Sequence, residues 1–230
     1  MAAAENHLIE MLPREERRRL LLNCEPVHLE LSEVLCEAGE RTRYVYFPVD
    51  ATVSLITPID GKPVLEVGMV GREGMVGAQL VLGVATTPLH ALVQGSGKAW
   101  RLAAAPFRRE LVRSSALQHC LNRYVYVLMT QLAVSAGCLR FHLIGPRLAR
   151  WLLMTQDRAH ASTFHVTHEF LAYMLGVRRV GITAAAGVLQ REGLIEYTRG
   201  KLIVLNRKGL VAAACGCYAS GQKSYAELLG

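Results

Sequence analysis

Hydrophobic and polar positions along this chain change period several times, and each change marks a new kind of element. Leu8, Ile9 and Leu12, then Leu20, Leu21 and Leu22, surround a charged PREERRR segment, which predicts a helix over residues 6–22. Val27, Leu29 and Leu31 then alternate with His28 and Glu30, the two-residue period of a strand. Short strand-like runs follow at Glu33–Cys36, Tyr44–Phe47, Thr52–Thr57, Val64–Val70, His90–Gln94 and Lys98–Leu102. Turn signals separate them at Ala38-Gly39, Pro58-Ile59-Asp60-Gly61, Gly71 and Gly95-Ser96-Gly97. Evenly punctuated short strands predict a sandwich or barrel over about residues 25–103.

Helical spacing returns at Ala105–Arg113 and Ala116–Arg140. In the longer helix, Leu121, Val125, Leu128, Leu132, Ser135 and Leu139 recur at four-three-four-three-four, a coiled-coil seam of under three heptads. Tyr124, Val127 and Met129 spread the apolar surface beyond that seam. Such a helix needs cover on more than one side: the barrel on one, and its twin from a second copy on another. Phe141–Gly145 reads as a hinge, and Pro146 suits the first turn of a helix to about Gln156. Thr167 is placed to cap a further helix, with Glu169 in its first turn. Leu194–Thr198 and Lys201–Leu205 form a predicted hairpin about Arg199-Gly200.

Between cap and hairpin lies HEFLAYMLGVRRVGITAAAG, residues 168–187. Ala172 stands where two steeply crossing helices would touch, Gly176 stands in the turn, and Leu171, Leu175, Val177 and Ile182 fill the wedge. The pattern is a helix-turn-helix. With the helix before it and the hairpin after it, it becomes a winged helix.

Charge agrees with this division. Residues 141–210 hold ten Lys/Arg against four acids, +6 of the chain's +7. A basic half joined to a near-neutral half points to a polyanion partner for one part and another task for the rest. The first residues, MAAAENHLIE, show no secretory signal, and the uncharged run Tyr124–Leu139 would span about 24 Å as a helix, short of a bilayer core. The reading is a cytoplasmic protein with no membrane partner. Six scattered cysteines fit reduced thiols rather than a disulfide framework. No phosphate loop, nucleophile elbow or paired-histidine helix is present, and the glycines at 68, 71, 74 and 77 do not follow a dinucleotide fingerprint, so no enzyme is expected. The alternative from another class is a small-molecule-binding or metal-dependent barrel protein whose winged helix makes protein contacts. Its barrel would want His-x-His on one strand, and only His28 and His90 are available, far apart.

GREGMVG in the later part of the barrel, the long apolar helix, VTHEFLAYMLGVRR and GVLQREGLIEYTRGKLIVL occur in an order that resembles the catabolite-activator/fumarate-nitrate-regulator (CRP/FNR) family. The resemblance covers nearly the whole chain. It implies an α+β fold: a cyclic-nucleotide-binding-like antiparallel β-barrel (jelly roll) over 1–115, a dimerisation helix over 116–140, and a winged helix-turn-helix DNA-binding domain over 141–230. It further implies a homodimer that binds pseudo-palindromic promoter sites on double-stranded DNA and contacts RNA polymerase.

Arg178 and Arg179 open the second helix of the motif, where an arginine fork reads guanine or holds a phosphate. Val180 and Thr183 complete the candidate base-contact set. The family's well-known glutamate and arginine are replaced here by Val180 and Ala184, so the familiar half-site does not carry over, and Val180 is suited to a thymine methyl. Thr167 and His168, at a helix amino end, and Arg199 and Lys201, at the hairpin tip, are the candidate DNA-backbone contacts.

For the sensor, Glu73 resembles the glutamate that contacts ribose in cyclic-nucleotide-binding relatives. The arginine that would neutralise the phosphate should fall near Pro88-Leu89, where neither residue binds an anion. Arg72, Glu73, Leu89 and His90 are therefore candidates for a pocket holding a small effector other than cAMP. Cys24 and Cys36 lie twelve apart, with Cys120 and Cys138 far along the long helix, a spacing that does not suit an iron–sulfur cluster. No pattern marks a haem ligand. Cys215 and Cys217 admit a thiol switch or a soft metal, but small residues on a carboxy-terminal helix are the favoured reading; His160, His165 and His168 lie around a helix cap in a DNA-facing region, and no metal is expected.

Overall fold

Alternation along single strands decides how the amino-terminal half is layered. In the structure, a computed structural model describing residues 5–59, 62–159 and 161–230, seven antiparallel strands form two sheets. β1 (Glu25–Leu29), β7 (Gly97–Ala103) and β3 (Tyr44–Pro48) make one, in the order β1-β7-β3. β2 (Val34–Cys36), β6 (His90–Gly95), β4 (Thr52–Ile59) and β5 (Lys62–Val70) make the other, in the order β2-β6-β4-β5. Leu29, Tyr46 and Ala99 of the first meet Val53, Leu55, Val70, Ala91 and Val93 of the second in one buried core. The neighbouring positions Val45, Phe47 and Leu102 point the other way into a helical core, as the two-residue period requires. The jelly-roll expectation is met. Residues 1–4, the Asp60-Gly61 part of a predicted turn, and His160 lie outside the described residues.

The predicted helix over 6–22 is two helices, α1 (His7–Glu10) and α2 (Arg14–Leu22). Pro13 separates them because it has no N–H to continue the hydrogen-bond ladder. With α3 (Ala104–Arg113) and α4 (Ser115–Phe141) they close the helical core, in which Leu8, Ile9, Phe107, Leu117 and Leu121 are buried against β3 and β7. α4 has 27 residues and is long and apolar enough to cross a bilayer, longer than its uncharged run suggested. Here its Leu117, Leu121 and Tyr124 face is buried in the helical core instead.

That packing corrects the predicted dimer seam. Leu121 and Val125 are buried in the chain's own core, Ser135 is buried, and Leu128, Leu132 and Leu139 are half-buried. The exposed stripe is displaced by one residue: Asn122, Tyr126, Met129, Ala133 and Ala136, again at four-three spacing. A heptad count identifies two such faces on a helix this apolar, and only its neighbours show which one is free.

α5 (Ile144–Ala159) begins the second half, followed by β8 (Thr163–His165), α6 (His168–Leu175), α7 (Arg179–Arg191), β9 (Ile195–Thr198), β10 (Lys201–Val204), α8 (Arg207–Ala213) and α9 (Cys217–Leu229). Leu148, Leu152, Leu171, Ile182, Leu189, Leu202 and Leu210 form its core, which also takes in Ile56 and Met69 of the sandwich. β8 was not anticipated. It pairs with β10, giving the three-stranded order β8-β10-β9, and buries Phe164 between exposed Thr163 and His165. α9, at the end of the predicted 141–230 unit, runs back along α4: Leu229 joins the helical core and the Tyr225 hydroxyl donates to the Glu73 carbonyl at 3.2 Å.

Polar contacts also join the halves. Glu66 of β5 accepts from the Ser54 hydroxyl at 2.5 Å and from the Trp151 indole N–H of α5 at 3.0 Å. Ser54 lies equally close to the Gln94 carbonyl oxygen, at 2.6 Å. One hydroxyl proton serves one acceptor at a time, so either Glu66 carries a proton and donates it to Ser54 Oγ, or the Gln94 amide turns its nitrogen to Ser54. Burial pushes the Glu66 carboxyl up to about 7 against the hydrogen bonds from Ser54 and Trp151. A carboxyl raised on folding adds stability below its ordinary pKa of 4.5, and that stability is lost as pH rises through about 7. Glu66→Gln should therefore match the parent in urea unfolding at pH 4.5 and exceed it at pH 8; a gain independent of pH would remove Glu66 as the cause.

Candidate nucleic-acid interface

Local chemistry builds the reading surface. Thr167, extended at φ −92°, caps α6 by accepting the Phe170 N–H at 3.1 Å. The helix ends at Gly176, whose φ of +62° lies in the left-handed region. Its N–H bonds the Tyr173 carbonyl at 3.2 Å, while the Val177 N–H reaches the Ala172 carbonyl at 3.0 Å, the paired closure of a Schellman motif. Helix α7 then leaves at 109° to α6. Ile182, Ala185, Ala186 and Leu189 face inward from it, so its early outer face is held out by a rigid core.

All four candidate base contacts lie on that outer face: Arg178, Arg179, Val180 and Thr183 are exposed, Val180 by 72%. Arg178 is the extended cap residue rather than the first helical one. Thr183 is not free, since its hydroxyl donates to the Arg179 carbonyl at 3.1 Å and lies 3.0 Å from His168 Nδ1. His168, expected at the DNA backbone, is instead a strut. Its ring stacks on Tyr197 of β9 at 4.3 Å, joining α6, α7 and the wing. Desolvation, helped by the Arg179 charge, lowers its pKa and favours the neutral ring. At the wing tip Arg199 and Gly200 both have positive φ, +48° and +81°, the turn that matches strand twist in a two-residue hairpin. Arg199 is a non-glycine residue in that region, and it stands exposed beside Lys201. Thr167, Arg199 and Lys201 are thus presented with the α7 face.

Residues 146–213 match the family of the Crp-like helix-turn-helix domain. The chain carries that domain in a fold like that of solved CRP/FNR-family proteins. No curated protein matches the sequence. The fold is similar to that of a Eubacterium rectale transcriptional regulator assigned to the crp/fnr family, at TM-score 0.70 and 16% identity, covering 91% of this chain and 99% of that one. It is also similar to FixK2 from Bradyrhizobium japonicum, at TM-score 0.69 and 14% identity over 84% and 98% of the two chains. The c-di-GMP responsive global regulator CLP of Xanthomonas campestris gives 0.67 and 16% over 84% and 99%. At such identities the likeness is one of fold.

Within this CRP/FNR fold the four sensor candidates separate. Arg72 and Glu73 line a cavity of about 340 Å³ between the sandwich, α4, α5 and α9. Leu89 packs on the sandwich core, and His90 pairs with Glu37, away from that cavity. Glu73 is held by Arg158 of α5 at 2.8 Å. The turn that resembles a ribose contact is therefore tied to the first helix of the winged domain, a link between distant segments that no local pattern marks.

A cluster of thiols was also missed. Cys138, at the end of α4, lies 3.6 Å from Cys215, and Cys217 Sγ lies 3.5 Å from His142 Nδ1. The Cys215 hydrogen bond holds the Cys138 thiol well below its ordinary range, and the same bond together with burial pushes Cys215 up. Cys215-Gly-Cys217 and the four-residue step from Cys138 to His142 were the available signals.

Removing the α6 cap tests how the motif is held. Thr167→Ala should lower stability by about 1 kcal/mol in urea unfolding, with DNA affinity falling beyond that only if the hydroxyl also meets phosphate.

Proposed function

We propose that the protein regulates transcription by binding pseudo-palindromic promoter DNA as a homodimer, under the control of a small effector other than cAMP. The observation that carries this reading is the exposed amino-terminal face of α7, with Arg178, Arg179 and Val180 free and Arg199 and Lys201 beside it at the wing. A helix end of this kind enters the major groove, and flanking cations settle on phosphates. Arg179 reads a base, Val180 meets a thymine methyl, and Thr183 contributes by bracing His168. RNA polymerase is the further partner at the promoter, in the cytoplasm.

Dimerisation uses the exposed α4 stripe. Tyr126 and Met129 are 61% and 60% exposed, large apolar side chains at the centre of a regular row. Pairing two such rows would set the two α7 helices for half-sites about one helical turn apart. The effector reading rests on the 340 Å³ cavity, which offers Arg72, Arg150 and Arg158 beside Glu73 and apolar Val127 and Met154. Its occupant would touch sandwich, α4 and α5 together and so bias their arrangement.

A mobility-shift titration against the promoter of the protein's own gene should show binding that weakens steeply with salt. Arg179→Ala should lower specific affinity about 10-fold or more with little effect on random duplex, whereas Lys201→Ala should weaken both alike. Equal losses on both duplexes for Arg179→Ala would reassign it to phosphate. Absence of binding at low salt would favour a barrel protein that uses its winged helix for protein contacts.

Sedimentation should separate the two faces of α4. Met129→Glu is expected to give folded monomers. Leu121→Ala should instead cost roughly 2–5 kcal/mol of stability through a core cavity. A dimer that survives Met129→Glu would move the interface off this stripe.

A further inference from the structure

Three thiols and an imidazole converge where the long helix ends. Cys138 lies in the last turn of α4, and His142 is the residue that ends that helix. Cys215 precedes α9, and Cys217 is its first residue. The two pairs come from opposite ends of the winged helix, 77 residues apart between Cys138 and Cys215. Their four ligand atoms all lie within 4.8 Å of one another, the one such group of three or more metal-ligating side chains among the described residues.

The distances suit a tetrahedral centre. With Zn–S near 2.3 Å and Zn–N near 2.0–2.1 Å, tetrahedral angles give S···S edges of about 3.8 Å and S···N edges of about 3.6 Å. Two of the six separations, 3.6 Å between Cys138 and Cys215 and 3.5 Å between Cys217 and His142, match those edges, and the other four are at most 4.8 Å. A disulfide would need its sulfurs at about 2.05 Å. Burial suits a structural site with an entry path: Cys138 and Cys215 are 2% and 8% exposed, Cys217 is half-buried, and His142 opens to solvent. Three thiolates and a neutral imidazole around a divalent ion leave one net negative charge. Arg150, whose charge acts on Cys138 and which hydrogen-bonds Ser135 at 3.3 Å, is placed to balance it.

We propose that Cys138, His142, Cys215 and Cys217 form a Cys₃His site for a thiophilic divalent cation, zinc in particular. Three sulfurs and one nitrogen in a tetrahedral array select zinc over oxygen-seeking ions such as magnesium or calcium. Binding displaces the thiol protons to solvent and joins the end of α4 to the start of α9. The metal thereby clamps the base of the winged helix at the hinge where it leaves α4. The site shares no residue with the DNA surface, and it borders the cavity beside Glu73, which Cys217 also lines.

The test uses the reduced protein, residues 1–230, after removal of metal with a chelator. Titration with Co²⁺ should give one equivalent of tetrahedral sulfur-ligated cobalt, seen as intense visible bands and sulfur-to-metal charge transfer, and one equivalent of zinc should bleach it. Cys217→Ser and His142→Ala change accessible side chains and should keep a native circular dichroism spectrum while lowering cobalt affinity roughly 100-fold or more. Cys36→Ser should bind as the parent does. The proposal is overturned if folded parent protein shows no stoichiometric, zinc-bleached spectrum, or if Cys217→Ser with Cys215→Ser binds unchanged. It is equally overturned if the cysteines pair as a Cys138–Cys215 disulfide in air while the reduced protein ignores both metals.

Discussion

An α-helix that is apolar around most of its circumference has to be covered on several sides, and α4 imposes that constraint on this chain. Its Leu117, Leu121 and Tyr124 face closes the helical core, a second face lines the cavity with Gln131 and Val134, and a third carries Tyr126 and Met129 outward. Burying one large aliphatic side chain contributes about 1.5–3 kcal/mol, so the amino-terminal half holds this helix firmly. The winged helix starts from its far end, at His142. The sandwich, the winged helix and the return of α9 are consequences of how one helix is shared.

The two halves do not meet through α4 alone. Ile56 and Met69 of the sandwich belong to the same apolar core as the winged helix, and Glu66 with Trp151 and Glu73 with Arg158 bridge the same junction. Apolar burial sets how tightly these surfaces close, and the polar pairs fix their register, because a buried group that loses its partner is costly. A ligand in the adjoining cavity and a metal at the hinge would act on two edges of one joint.

The surface offered to DNA shows the same division of labour. Apolar Ile182 and Leu189 hold α7 down, Thr167 and Gly176 define where its neighbour begins and stops, and His168 braces α6 against α7 and the wing. The side chains of Arg178, Arg179, Val180 and the wing-tip cations are then left exposed. An exposed side chain free of internal work on a rigid scaffold is available to a partner.

Local pattern determined much of this by itself. Strand alternation, the helix-turn-helix spacing, the Thr167 cap and the Arg199-Gly200 turn are interactions between residues a few positions apart, and a linear sequence shows those directly. Pro13 could have been read the same way, as the break between α1 and α2, because its missing N–H is a local property. Only the tertiary structure decided which α4 face is covered, that β8 joins the wing, that Arg72 and Glu73 part from Leu89 and His90, and that Cys138 and His142 meet Cys215 and Cys217. Each depends on segments brought together from far along the chain, where periodicity carries no information about which surface becomes the neighbour.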